Sequence, residues 1–280
     1  MASNPTCPGT GRCRQNSDAA AQPVIPRTPS LRLDGRRALV TGASRGLGLA
    51  CAAALAEAGA EVWLAARGAA EVQAAAAALR TRGDRAHALV LDVTDTAAVA
   101  QAVAEVVHEH GPFQLLVNNA GTNRPKPFDE VTEDDVDTLL GLNVRAAFFV
   151  AHAVASGLKA AGLPGSIVMM SSQMGHVGGV NRSIYCASKH ALEGMSKALA
   201  LELGAIGIRV NTVCPTFIDT PMTHDWLATP AFHAQVLGKI PLGRVGRVED
   251  VMGAVLFLAG DAAALVTGSA LMVDGGWTAA

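Results

Sequence analysis

The 22 Lys and Arg of this 280-residue chain nearly balance its 24 Asp and Glu, leaving a formal charge of −2 with the cations scattered. That excludes the basic stripe by which proteins hold nucleic acid or an anionic membrane, and leaves a small molecule as the expected partner. Half of the residues are apolar, yet no uncharged run reaches the ~18 residues of a membrane span, 251–259 being too short, so the chain reads as soluble.

The five cysteines, Cys7, Cys13, Cys51, Cys186 and Cys214, are odd in number and form no Cys-x-x-Cys pair or Cys/His motif along the sequence. This predicts reduced thiols, a cytoplasmic setting and no metal. Residues 1–33 are rich in Pro, Ser, Thr, Asn and Arg without helical or strand periodicity, the composition of a disordered N-terminal extension. They contain no apolar h-region, so a secretory signal is not expected; a transit peptide is the alternative to a solvated tail. The fold is expected to begin at about Leu33 and to form one domain over 34–280.

Within it, short apolar runs predict strands over 37–40, 61–66, 86–91, 114–118, 166–170, 208–213 and 270–273. Longer patterns between them predict helices over 46–58, 69–82, 96–110, 134–160, 183–206 and 248–259. This alternation predicts an α/β fold, a doubly wound seven-stranded parallel sheet with helices on both faces and right-handed crossovers. Ligands of such sheets bind beyond the carboxyl ends of the strands.

After the first predicted strand comes Thr41-Gly42-Ala43-Ser44-Arg45-Gly46-Leu47-Gly48. Its three glycines let the backbone turn tightly and approach a pyrophosphate at the positive end of the next helix. Alone the turn is ambiguous; its place after a strand at the head of an α/β alternation favours a dinucleotide. No Gly-Lys-Ser or Gly-Lys-Thr follows, which excludes a nucleotide-hydrolase phosphate loop. The second strand ends without the Asp or Glu that grips an NAD ribose. Arg67 stands there instead, and with Arg45 it could clasp the 2′-phosphate of NADP, so NADP(H) is favoured over NAD(H).

Tyr185, the only tyrosine, precedes Lys189 by four positions, which puts phenol and ammonium on one helical face. A fixed cation favours the phenolate, so the pair could move a proton nearer neutral pH; buried packing is the alternative. Asn143 falls inside a predicted helix, where Asn is unfavourable unless its amide has work to do.

Together Thr41-Gly42-x-x-x-Gly46-x-Gly48, Leu91-Asp92-Val93, Asn118-Asn119-Ala120-Gly121, Asn143, Ser172, Tyr185-x-x-x-Lys189 and Asn211-x-Val213-x-Pro215 resemble the short-chain dehydrogenase/reductase family over 33–277. The resemblance implies a Rossmann-type single domain and hydride transfer between a nicotinamide cofactor and a secondary alcohol or ketone. It implies catalytic roles for Asn143, Ser172, Tyr185 and Lys189, the serine being chosen over Ser171 because it lies thirteen residues before the tyrosine. It implies cofactor contacts from Gly42, Ser44, Arg45, Gly46, Leu47, Gly48, Arg67, Asp92, Val93, Asn119, Ala120, Gly121, Tyr185, Lys189, Pro215, Ile218 and Thr220. The family usually has Gly where this chain has Thr216, which leaves that loop's backbone contacts open.

Gln173, His176 and Arg182 are the expected substrate contacts, beneath a flap over about 216–244 that carries Met222, Trp226 and Phe232. A polar, partly cationic lining suits a sugar, polyol or hydroxy acid. The alternatives are a 3-oxoacyl-carrier-protein reductase, the same chemistry with NAD, and a non-catalytic NADP-binding regulator. The resemblance also implies a homotetramer through the C-terminal edge.

Overall fold

The computed structural model describes residues 25–279, so the extension expected over 1–33 lies outside the described residues as far as residue 24, together with Cys7 and Cys13. Leu33 is the first buried side chain, and its N–H donates to the carbonyl of Ala58. From there seven strands form one parallel sheet: β1 (Arg37–Thr41), β2 (Glu61–Ala66), β3 (Ala86–Val90), β4 (Leu115–Asn118), β5 (Gly165–Met170), β6 (Ile208–Pro215) and β7 (Ala270–Val273). Their order is β3-β2-β1-β4-β5-β6-β7. The chain therefore reverses direction of travel between β1 and β4, opening a crevice at their carboxyl ends.

The helices are α1 (Gly46–Glu57), α2 (Ala69–Thr81), α3 (Thr96–His110), α4 (Glu133–Leu140), α5 (Ala147–Ala161), α6 (Ser183–Gly204), α7 (His224–Leu227), α8 (Pro230–Leu237) and α9 (Val248–Ala259). Alternate strand residues feed opposite layers. Ala38, Val40, Leu115, Val117 and Val168 pack with α1, α2 and α9, whereas Leu39, Leu116 and Ile167 pack with α3, α5 and α6. Burial on both faces is why these strands read as continuous apolar runs.

The helix expected over 134–160 is continuous from Glu133 to Ala161, but a wide π turn, Gly141–Ala146, separates α4 from α5. It is long and apolar enough to cross a membrane, with a mean hydropathy of 1.5 over its most apolar window. Here its buried residues pack on the sheet and α3, while Phe148 and Phe149 stay exposed. At its start Thr132 and Asp135 form a capping box. Asp135 also accepts from Lys126 at 2.5 Å and from Arg124 at 3.2 Å, so Arg124 is committed to acids rather than to a ligand.

The Lys126 ammonium, with the N–H and hydroxyl of Thr132, holds the Asp135 carboxyl well below its ordinary value of 3.8. A carboxyl with a depressed folded value stabilises above its unfolded value and loses that contribution as pH falls. Asp135→Asn is therefore expected to flatten the acid side of a plot of Tm against pH. Parallel acid limbs for parent and variant below about pH 4 would contradict this.

Candidate active site

At the head of the crevice the first amides of α1 have no side-chain cap, no acid stands in its first turn, and Arg45 occupies the N-cap. Uncapped N–H groups at a positive helix end are an anion site. Gly46 sits at φ +57°, a conformation that favours glycine. Gly48 is required for space: a Cβ there would lie 2.2 Å from the Gly42 carbonyl oxygen and 2.6 Å from Asn119 Nδ2. Thr41, buried at the end of β1, ties the opposite wall down, its hydroxyl accepting from the N–H groups of Asn119 and Ala120 at 3.0 Å each.

The crevice is a cleft of about 1040 Å³. Every residue assigned from sequence to the cofactor lines it: Gly42, Ser44, Arg45, Gly46, Leu47, Gly48, Arg67, Asp92, Val93, Asn119, Ala120, Gly121, Tyr185, Lys189, Pro215, Ile218 and Thr220. At the far end of β2 and β3, burial pushes the Asp92 carboxyl up, but the N–H and hydroxyl of Thr94, aided by Arg67, hold it below its ordinary value. Glu71, which the sequence did not single out, lines the same end and folds back over Gly68 at the start of α2. Thr216, also in the lining, donates its N–H to Val273, while its buried hydroxyl has no protein partner. Uncapped amides, a cradle that a single Cβ would fill and an orphaned hydroxyl all fit a bound dinucleotide.

Midway along the cleft α6 presents Tyr185 and, one turn on, Lys189, whose Nζ is 5.6 Å from the phenol ring centroid. Lys189 is buried and donates to the Met170 carbonyl at 2.9 Å. Burial lowers its ammonium to about 8, with Cys214 and Glu193 pulling the other way. Ser172, at the end of β5, faces the same space and caps the short turn after it by accepting from the Met174 N–H at 3.1 Å. Sequence spacing predicts a phenol lowered by Lys189, and the structure corrects this for the protein alone. Burial pushes the Tyr185 phenol up, and the groups that oppose the rise are Ser172 and Arg182.

Asn143 stands behind the cleft. Its Oδ1 accepts from the Thr122 N–H at 2.9 Å, and its Nδ2 donates to the Thr122 carbonyl and to Ser188 Oγ at 3.0 Å each. Ser188 in turn donates to the Tyr185 carbonyl at 2.7 Å. This serine, missed in the sequence, joins the π turn to α6. Gly121 fills the gap between Asn143 and Lys189: a Cβ there would lie 3.2 Å from Asn143 Oδ1 and 3.8 Å from Lys189 Nζ.

The expected substrate contacts scatter. Gln173 is buried in the turn after β5, and His176 faces Glu193 and Cys214; neither they nor Arg182 line the cleft. Arg182 is caged by the flap, 5.7 Å from the ring centroid of Phe217, 5.8 Å from Trp226 and 5.9 Å from Phe232. Its guanidinium donates to the carbonyl of Val180, two residues back, at 3.1 Å, and pairs with no acid among the described residues. The expected flap segment carries two short helices, α7 and α8, and its residues Thr220 to Thr223 line the cleft.

A family model described as "Enoyl-(Acyl carrier protein) reductase" matches residues 42–278. D-erythrulose reductase of Gallus gallus is 43% identical over 249 residues, covering 89% of this chain and 98% of its own length. Gluconate 5-dehydrogenase of Gluconobacter oxydans (strain 621H) is 40% identical over 246 residues, covering 88% of this chain and 96% of its own. The crystal structure of a gluconate 5-dehydrogenase from Burkholderia cenocepacia J2315 in complex with NADP and tartrate superposes with a TM-score of 0.87 at 36% identity, covering 89% of this chain and 98% of that one. With the seven-stranded sheet, the glycine cradle and Ser172, Tyr185 and Lys189 in one cleft, this chain belongs to the short-chain dehydrogenase/reductase family, oxidoreductases that act on CH–OH groups with a nicotinamide cofactor.

Proposed function

We propose that the protein interconverts a ketone and a secondary alcohol on a small polar substrate, a sugar, polyol or hydroxy acid, with NADP(H). The observation that carries this is the meeting of Tyr185, Lys189 and Ser172 in the cleft that the uncapped start of α1 also faces. Bound there, the cofactor supplies or accepts hydride. Tyr185 gives its phenolic proton to the carbonyl oxygen in reduction and takes it back in oxidation. Ser172 holds that oxygen: one of its lone pairs is engaged by the Met174 N–H, which leaves its hydroxyl proton free to donate. Lys189 grips the cofactor ribose and holds its ammonium one helical turn from the phenol. Asn143 and Ser188 fix the far side of α6 and support a proton path from Lys189 past Gly121.

The preference for NADP rests on Arg45 and Arg67, both exposed at the adenosine end of the cleft, and is supported by the NADP in the Burkholderia relative. The substrate class rests on relatives named for a ketose and a sugar acid. Those relatives give no support to an acyl-carrier substrate. A homotetramer in the cytoplasm completes the reading, supported by the half-exposed edge strand β7 and by Phe148 and Phe149 exposed on α5.

A panel of ketoses, keto acids and polyols assayed with NADPH, NADH, NADP⁺ and NAD⁺ tests the proposal. NADPH is expected to be preferred, and the double variant Arg45→Ala/Arg67→Ala is expected to lose roughly tenfold to a hundredfold in kcat/KM for NADPH, the cost of one or two charge-assisted contacts. Its kcat/KM for NADH should stay nearly unchanged. Equal losses with both cofactors would remove the 2′-phosphate clasp.

A further inference from the structure

We propose that His176, Glu193 and Cys214 form a zinc site, separate from the cofactor cleft, that clamps α6 to β6 and to the turn after β5. The three residues are far apart in sequence and show no metal-binding motif. Folding brings their donor atoms together: Cys214 Sγ lies 3.4 Å from His176 Nε2 and 3.3 Å from Glu193 Oε1, and the latter two are 3.4 Å apart.

This triangle is nearly equilateral and has the size of one face of a zinc tetrahedron. Zinc bonds of about 2.0–2.3 Å to N, O and S place any two ligand atoms roughly 3.3–3.7 Å apart. The donor set, one imidazole, one carboxylate and one thiol, suits a borderline-soft dication and not magnesium or calcium, which take oxygen.

The surroundings orient these ligands. Thr212 donates its hydroxyl to Glu193 Oε2 at 3.0 Å, which leaves Oε1 to face the sulfur and the imidazole. Such outer hydrogen bonds accompany metal-binding carboxylates. The hydroxyl oxygen of Ser171, a residue that also lines the cofactor cleft, stands beside the triad next to Cys214. A Cβ on Gly175 would sit 2.9 Å from this oxygen and 3.1 Å from Glu193 Cγ, so glycine keeps the space between them small and clear. Access is from the His176 side, whose side chain is 30% exposed while that of Glu193 is 8% exposed.

Lys189 Nζ is engaged with the Met170 carbonyl, and the one ion-pair partner of buried Glu193 among the described residues is His176. A dication would neutralise the carboxylate and the thiolate together. Binding replaces the Cys214 thiol proton, which leaves to solvent, and nothing is oxidised or reduced. The rival arrangement keeps that proton, with the thiol donating to Glu193 in a metal-free hydrogen-bonded cluster. Glu193 lies one helical turn beyond Lys189, and Cys214 immediately precedes Pro215 of the cleft wall. An ion would thus tie the middle of α6 to β6, beside the cleft wall.

The test uses the full chain without a polyhistidine tag, stripped with a chelator and titrated with Co²⁺ and then Zn²⁺. The expected result is a near-ultraviolet thiolate-to-cobalt charge-transfer band that saturates at one ion per chain and is abolished by one equivalent of Zn²⁺. Zn²⁺ should also raise Tm. His176→Gln, at the exposed mouth, is expected to weaken Co²⁺ binding at least tenfold, and Cys214→Ser to remove the band while circular dichroism shows the fold retained. A stripped parent with no band and a Tm indifferent to Zn²⁺ overturns the proposal in favour of the hydrogen-bonded cluster. A band unchanged in His176→Gln or in Cys214→Ser overturns it by placing the ion elsewhere. None of these readouts depends on turnover, so they stand or fall apart from the proposed reaction.

Discussion

Tyr185→Phe is expected to lower kcat between about a hundredfold and ten-thousandfold, the range of a positioned general acid, while the Kd for NADPH stays within about twofold. The reasoning is geometric. The phenol stands in the cleft with Ser172, and Lys189 Nζ lies over its ring, 5.6 Å from the centroid, with no salt bridge to an acid among the described residues. Phenylalanine keeps the ring, the helix and the Lys189 bond to Met170, and removes one hydroxyl. The loss should fall on kcat and kcat/KM alike, because the missing proton transfer belongs to the transition state. Burial raises the phenol in the protein alone, so oxidation, which needs the phenolate, should gain more from rising pH than reduction. Steady-state kinetics in both directions with a fluorescence titration of NADPH would check this. A variant within tenfold of the parent would remove Tyr185 from the chemistry.

Gly48→Ala is expected to destabilise the fold by about 1–3 kcal/mol, as an overpacked core position does, and to weaken NADPH binding at least tenfold. Helix propensity argues the opposite sign, since alanine inside a helix gains about 1 kcal/mol over glycine. The steric term wins because the new methyl would stand 2.2 Å from the Gly42 carbonyl and 2.6 Å from the Asn119 amide, and neither can retreat. Asn119 Nδ2 is bonded to the Thr41 carbonyl at 2.9 Å. Relief must come from shifting the start of α1, the end that faces the pyrophosphate. Urea denaturation and NADPH titration would measure the two effects. A more stable variant with unchanged NADPH affinity would show that the start of α1 is not the cofactor cradle.

The sheet was legible because its central strands are buried on both faces and flanked by turn signals, so Ala38 to Val40 or Ile167 to Met169 could be little else. The cleft was legible where the backbone itself is constrained, at Gly42, Gly46 and Gly48. Other features depend on distance in space rather than along the chain. The rise in the Tyr185 phenol is set by burial under neighbours that the Tyr-x-x-x-Lys spacing does not describe. The bridge from Asn143 through Ser188 needs the π turn, which has no composition of its own; only the odd placement of an Asn in a helix hinted at it. His176 read as a loop residue near substrate because Glu193 and Cys214 approach it only after β6 pairs with β5. The helices α7 and α8 were hidden by their shortness, four and eight residues amid Thr, Pro and Gly.

The wide turn at Gly141–Ala146 also acts as a phase adjuster. A π turn holds one residue more than a regular turn, and one residue corresponds to about 100° of rotation about a helix axis. The two halves of the long helix thus present different seams: α4 leans on α6, and α5 leans on α3 and β4. Removing a residue here would realign the seams, forcing one half to abandon its neighbour even with every side chain chemically intact. Chain length at this point is therefore a determinant in its own right, and the segment should tolerate replacement far better than insertion or deletion.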